Sequence, residues 1–311
     1  MGDVFKKRWF EDSIQRNPNT AYGDTDSLYF KAILDINKHD KPEAYLDACD
    51  TLGSDINKLY KSNLAKIVEM FNGDPEYNYM KFDHEVTSFL AIYVTKKHYA
   101  MYPNSKDGKR EYKLDRTDVL KVMGSPAVKA DASNIVKNML AEVYKILLIK
   151  SKMNLKQMEF QIYHKIRNKF VKEINDAVGK FEIKIFSQIK KFPLNEKSST
   201  FVKHALGMKW FNSFVNDEIR RGDACYMVDV VVDMGTTAKL TSQLENQDPL
   251  YGFNEQCLLP TRFTQIAVPV TFDDYDMVQA KLKEHRMVIN KDQLIEFHVD
   301  KKLNLYRVLF N

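Results

Sequence analysis

Cysteine is scarce in this 311-residue chain: Cys49, Cys225 and Cys257 are odd in number, far apart and without paired spacing. That argues against both a disulfide framework and a zinc site. The seven histidines are scattered and form no HxxxH or similar ligand pair, so a histidine-based metal centre has no footing either. No apolar run approaches the roughly 18 residues that a membrane helix needs, and nothing resembles a signal peptide. The expectation is a cytoplasmic protein without a membrane partner. At 44% hydrophobic residues the chain is not disordered, and it is long enough for two ordinary domains with their own cores.

The formal net charge is only +5, but the cations are unevenly spread. Residues 150–203 hold thirteen Lys and Arg against five Asp and Glu. Such a stretch lowers the cost of approaching a phosphate backbone and makes binding weaken as salt rises. A Lys-rich helical surface kept for solubility has the same composition.

The most specific string lies near the start: Tyr22-Gly23-Asp24-Thr25-Asp26-Ser27. Asn17-Pro18-Asn19 interrupts what precedes it, Gly23 permits a sharp turn, and Ser27-Leu28-Tyr29-Phe30 continues in strand-like style, so the segment is predicted to form a tight β-hairpin. Asp24 and Asp26 are two apart and share one face if strand geometry holds through the turn. Two hard oxygen ligands with room left for water and phosphate suit Mg²⁺. A pair of such ions stabilises the attacking and leaving oxygens of an in-line phosphoryl displacement. An Asx-type turn with solvated aspartates is the plainer reading of a Gly-Asp pair. The fixed six-residue string, however, would arise by chance in a chain of this length with a probability on the order of 10⁻⁵.

The hexapeptide resembles motif C of the family B DNA polymerases. That resemblance implies that Asp26 is the direct ligand of the catalytic metals, that Asp24 is its partner, and that Tyr22, Gly23, Thr25 and Ser27 support the hairpin. Lys96-Lys97-His98-Tyr99 is similar to the KKxY motif of the same family, which contacts the primer-template duplex. Lys121-Val122-Met123-Gly124 with Val128-Lys129 resembles the following palm-to-thumb element of tailed-phage replicative polymerases. Lys96, Lys97, Tyr99, Lys121 and Lys129 are thereby implied to grip DNA. Glu85, within Phe82-Asp83-His84-Glu85, occupies the position of an acidic strand beside motif C and is a second-tier metal candidate. Arg220-Arg221-Gly222-Asp223 is similar in position to a thumb segment that enters a strand.

The same resemblance implies what is missing. The family needs a further aspartate from a D-x-x-S-L-Y-P-S-like motif before the hexapeptide, a fingers lysine that binds the incoming dNTP, and an exonuclease domain; none of these strings occurs in the chain. The expectation is one subunit of a naturally split phage polymerase, acting in an infected host cell, or a sequence cut from a longer one. The Met1-Gly2 opening fits the first. The chain is then inactive until an N-terminal polymerase subunit supplies the remaining palm, fingers and exonuclease. A non-catalytic DNA- or clamp-binding module that kept the fold is the alternative, and an unrelated soluble α+β protein is the plainest one.

The predicted fold class is α+β: residues 1–124 form the C-terminal half of a polymerase palm, with a β-hairpin and an antiparallel sheet with helices, and residues 125–311 form a mostly helical thumb with a small sheet. A short helix is predicted over 5–15 and a polar connection over 34–41. Ser54 is the expected N-cap of a helix running to Phe71, with Ile56, Leu59, Tyr60, Leu64, Ile67 and Val68 at helical spacing. Paired strands are predicted over 81–101, an exposed turn over 103–108, an amphipathic helix over 132–150 with Ile135, Val136, Met139, Leu140, Val143, Ile146 and Leu147 on one side, helix over 155–174, and strands over 226–232 and 266–272. The ending, with Leu303, Leu305, Tyr306, Leu309, Phe310 and Asn311, reads either as a peptide that docks into a sliding clamp or as an element packed on the second domain.

Overall fold

The computed structural model describes residues 20–23, 28–38, 40–77, 83–95, 97–106, 109–112, 119–149, 153–191, 207–208, 210–215, 219, 222–232 and 264–310. The helix predicted over 5–15 lies outside them. The chain is of mixed α+β class and divides into two compact units, residues 1–124 and 125–311. Among the described residues no helix is long and apolar enough to cross a membrane.

The first unit opens with β1 (Thr20–Gly23) and β2 (Leu28–Phe30), an antiparallel pair with Gly23 opposite Leu28 and Tyr22 opposite Tyr29. Helix α1 then spans Pro42–Met70. It begins twelve residues before the expected Ser54, because Pro42 stands at the first helical position, where its fixed φ and missing N–H cost nothing. Gly53, inside the helix, is a packing site: a Cβ there would lie 2.8 Å from His84 Cβ. The helix stops where Asn72 turns left-handed at φ 55° and the Gly73 N–H bonds the Val68 carbonyl at 2.9 Å.

The sheet of this unit pairs β3 (Val86–Thr95) with β4 (His98–Lys106) antiparallel along their length. The far edge of β4 takes β5 (Lys109–Arg110) at one end and β6 (Lys121–Met123) at the other. The exposed turn expected over 103–108 is corrected here, since Pro103, Asn104 and Ser105 belong to β4 and Asn104 is fully buried. Helix α1 is fastened to this sheet by Tyr45 edge-on to Phe89 and by Arg110, whose guanidinium reaches Asp47 at 2.7 Å and Asp50 at 2.9 Å.

In the second unit, α2 (Asn134–Tyr144) buries Ile135, Val136, Met139, Leu140 and Val143 as expected and runs on through a π turn, Lys145–Ile149. The wider turn shifts the apolar face by one residue, so Leu148 and not Leu147 is buried. Helix α3 (Leu155–Phe160), capped by a reciprocal Asn154–Gln157 box, passes through a second π turn into α4 (Arg167–Gly179), and a short α5 (Ile183–Phe186) follows. Strand β8 (Ala224–Val231) is central to an antiparallel sheet with β7 (Gln188–Lys191), β9 (Gln265–Pro269) and β10 (Val288–Ile289). Helix α6 (Tyr275–Glu284) precedes β10; α7 (Lys291–Ile295), a third π turn, α8 (Lys301–Asn304) and a 3₁₀ turn (Arg307–Leu309) follow.

The C-terminal segment packs on its own unit. Leu303 and Tyr306 are buried, Tyr306 donates to the Tyr144 hydroxyl at 2.7 Å, and Phe310 meets Tyr163 edge-on. Two of the apolar anchors that a clamp peptide would offer are thus spent inside the unit, which favours the packed-element reading of that ending.

Candidate functional site

Gly23 and Leu28 form the last rung of the β1–β2 pair, and the sequence between them is Asp24-Thr25-Asp26-Ser27. Those four residues lie outside the described ones, as does Lys96; Tyr22 and Gly23 are described through their backbone alone. What can be followed is how the hairpin is seated. The Tyr29 ring lies 5.3 Å from that of Tyr99 and 6.0 Å from that of Tyr93, and the Tyr29 and Tyr99 hydroxyls share a hydrogen bond of 2.8 Å. Tyr93 and Tyr99 are register partners across β3 and β4, with ring centroids 5.9 Å apart. The β1–β2 pair therefore rests on the end of the sheet at which Lys97 lies.

The turn at Lys97 is tightly specified. Lys97 is exposed and held at φ 64°, in the left-handed region that costs a side-chain-bearing residue about 1 kcal/mol or more. Its carbonyl lies against Gly124, itself at φ 66°; a Cβ on Gly124 would fall 1.8 Å from the Lys97 oxygen. Met123, just before Gly124, pairs with Tyr99. The KKHY and KVMG strings, well separated in the chain, are thus in backbone contact.

Tyr99 is 7% exposed, so its part in any duplex contact runs through the strand it anchors and not through its own ring. Lys121 is largely covered and gives its ammonium to Glu85 at 2.6 Å. Glu85 stands just ahead of β3, with Oε1 of its carboxylate engaged by that lysine. Among the described residues there is no cluster of three metal-ligating side chains.

Lys129 belongs to the second unit, where it is exposed at the end of a 3₁₀ turn capped by Ser125. Reasoning along the sequence missed its company: Lys190, ion-paired to Asp131, and Lys302, whose ammonium lies 4.3 Å from the Phe297 ring centre. Burial pulls the Lys302 pKa below its usual value, and Lys129, Lys301 and Lys190 repel it further while Asp131 opposes them. These lysines come from three distant stretches of chain, so no local charge count could have grouped them. A polyanion laid across them would offset their mutual repulsion.

No protein-family model matches the chain, and no curated protein matches it significantly.

Proposed function

We propose that the chain provides the motif C half of the palm and the thumb of a family B DNA-directed DNA polymerase. The observation that carries this reading is the antiparallel pairing of β1 and β2 on either side of Asp24-Thr25-Asp26-Ser27 within the hexapeptide. Support comes from the seating of that hairpin on the KKHY strand through Tyr29 and Tyr99, and from the contact between the KKHY turn and Gly124.

On this reading Asp26, with Asp24 beside it, holds the metal side of the site, and the remaining aspartate and the dNTP-binding lysine come from outside these 311 residues, on an N-terminal polymerase subunit. Bound Mg²⁺ would activate the primer 3′-hydroxyl and neutralise the departing pyrophosphate. Glu85 stays a second-tier member of the ligand set, its Oε1 paired to Lys121. Lys96 and Lys97 hold the primer-template near the growing end, while Lys121 braces the strand beside them. Lys129, Lys190 and Lys302 grip the duplex through its phosphates without reading sequence.

The test is reconstitution. The chain is mixed with a polypeptide carrying the missing palm, fingers and exonuclease motifs, and primer extension is followed with dNTPs and Mg²⁺. Extension is expected only in the mixture, and Asp26→Ala lowers its rate by at least about 10³-fold. The lysine cluster of the second unit, which needs no carboxylate hairpin, favours a second reading as a non-catalytic DNA-binding module; extension indifferent to Asp26→Ala would select it.

A further inference from the structure

We infer that Tyr29 is a positioning residue: its hydroxyl bond to Tyr99 fixes the aspartate hairpin against the Lys97 turn, and the inference rests on the polymerase reading above. Two short stretches of sequence carry the chemistry of that reading. One follows Gly23 and ends at Leu28; Tyr29 is the next residue, paired across the hairpin with Tyr22. The other follows Thr95 and ends at His98; Tyr99 is the next residue, paired across the sheet with Tyr93. The residue that follows each stretch is therefore a tyrosine, and the two hydroxyls meet at 2.8 Å.

Tyr93 closes the arrangement into a triangle in which every pair of rings touches, with centroids 5.3, 5.9 and 6.0 Å apart. Ring contacts resist separation but tolerate sliding, whereas a hydrogen bond between hydroxyls also fixes direction. A two-stranded ribbon of four and three residues is marginal by itself and needs a support of this kind to hold a constant attitude. In catalysis, an error of about 1 Å between reacting groups costs on the order of 10²-fold in rate, so the bond has leverage out of proportion to its own strength.

Tyr29→Phe and Tyr99→Phe each remove one oxygen and leave the rings packed. In the reconstituted primer-extension reaction each is expected to lower kcat about tenfold, with KM for dNTP and the dissociation constant for a primer-template duplex unchanged, and the double variant is expected to be no slower than either single one. Amide hydrogen exchange on the chain alone should quicken together at 28–30 and 97–99 in each variant. A plain packing role would move thermal stability without the kcat-against-KM split. Wild-type kcat, or losses that multiply in the double variant, while Asp26→Ala still abolishes extension, would overturn this inference and leave the polymerase reading standing. If Asp26→Ala has no effect, or the mixture never extends a primer, both fall.

Discussion

Asn104 has no exposed surface, and its amide takes the place of ladder partners. Its Oδ1 accepts from the Phe89 N–H at 2.7 Å, and its Nδ2 donates to the Glu111 carbonyl at 2.9 Å. The register of β3 and β4 shifts at this point, where Ser88 faces Pro103 and Leu90 faces Tyr102. Proline brings no donor to a ladder, so the bulge and the asparagine side chain answer the groups left over. Asn104→Ala is expected to destabilise the first unit by about 1–3 kcal/mol, because the buried Phe89 N–H loses its partner; a fall in the urea midpoint at unchanged slope measures it. Pro103-Asn104-Ser105 reads as a turn in the sequence because proline and asparagine favour turns. What that reading lacks is the strand opposite, Val86–Thr95, against which the same residues become a bulge.

Among the elements, the π turns of the second unit changed most between pattern and fold. Helical spacing located α2 and its apolar face, and one inserted residue moved that face from Leu147 to Leu148. The third π turn, Glu296–Asp300, carries His298, 2% exposed, with Nδ1 3.0 Å from the Ser133 hydroxyl just ahead of α2. Burial pushes the His298 pKa down to about 4, with the Lys302 charge adding to the effect. The folded chain therefore keeps this ring neutral at a pH where the unfolded chain, with the ordinary value near 6.5, takes up a proton. The unfolded state then binds more protons, so this contribution is complete above pH 6.5 and is lost as pH falls toward 4, to a total of about 3 kcal/mol. Urea titrations at pH 7 and pH 4.5 should show that loss in the wild-type chain and a smaller pH difference in His298→Gln. Helix α1 teaches a related lesson about pattern. Pro42 and Gly53 look like punctuation in a string, yet one opens the helix and the other makes room for His84.

At the scale of the molecule, composition and periodicity led to an α+β chain, and helices with antiparallel sheets are what it forms. What was legible around the candidate site is local and contiguous: the strands on either side of the hexapeptide and the strand that begins within KKHY. The site was illegible where partners meet through space: the Tyr29–Tyr99 bond, the Glu85–Lys121 pair and the gathering of Lys129, Lys190 and Lys302 join residues far apart in the chain. On the proposed reading, that last group contributes to the salt dependence of duplex binding. Affinity for a primer-template duplex should fall linearly on logarithmic axes as salt rises, and Lys190→Ala with Lys302→Ala should flatten the slope by about two, roughly one for each phosphate that is no longer neutralised. Anisotropy titrations over a range of KCl read the slope, and an unchanged value would show that the duplex does not cross this cluster.

The space at Gly124 has a genetic corollary. Any base change at the first or second position of a glycine codon installs a side chain or a stop, and here even a methyl group would fall 1.8 Å from a backbone oxygen. The codon thus tolerates only its silent third-position changes: saturation mutagenesis of the gene should leave this column without amino-acid variants.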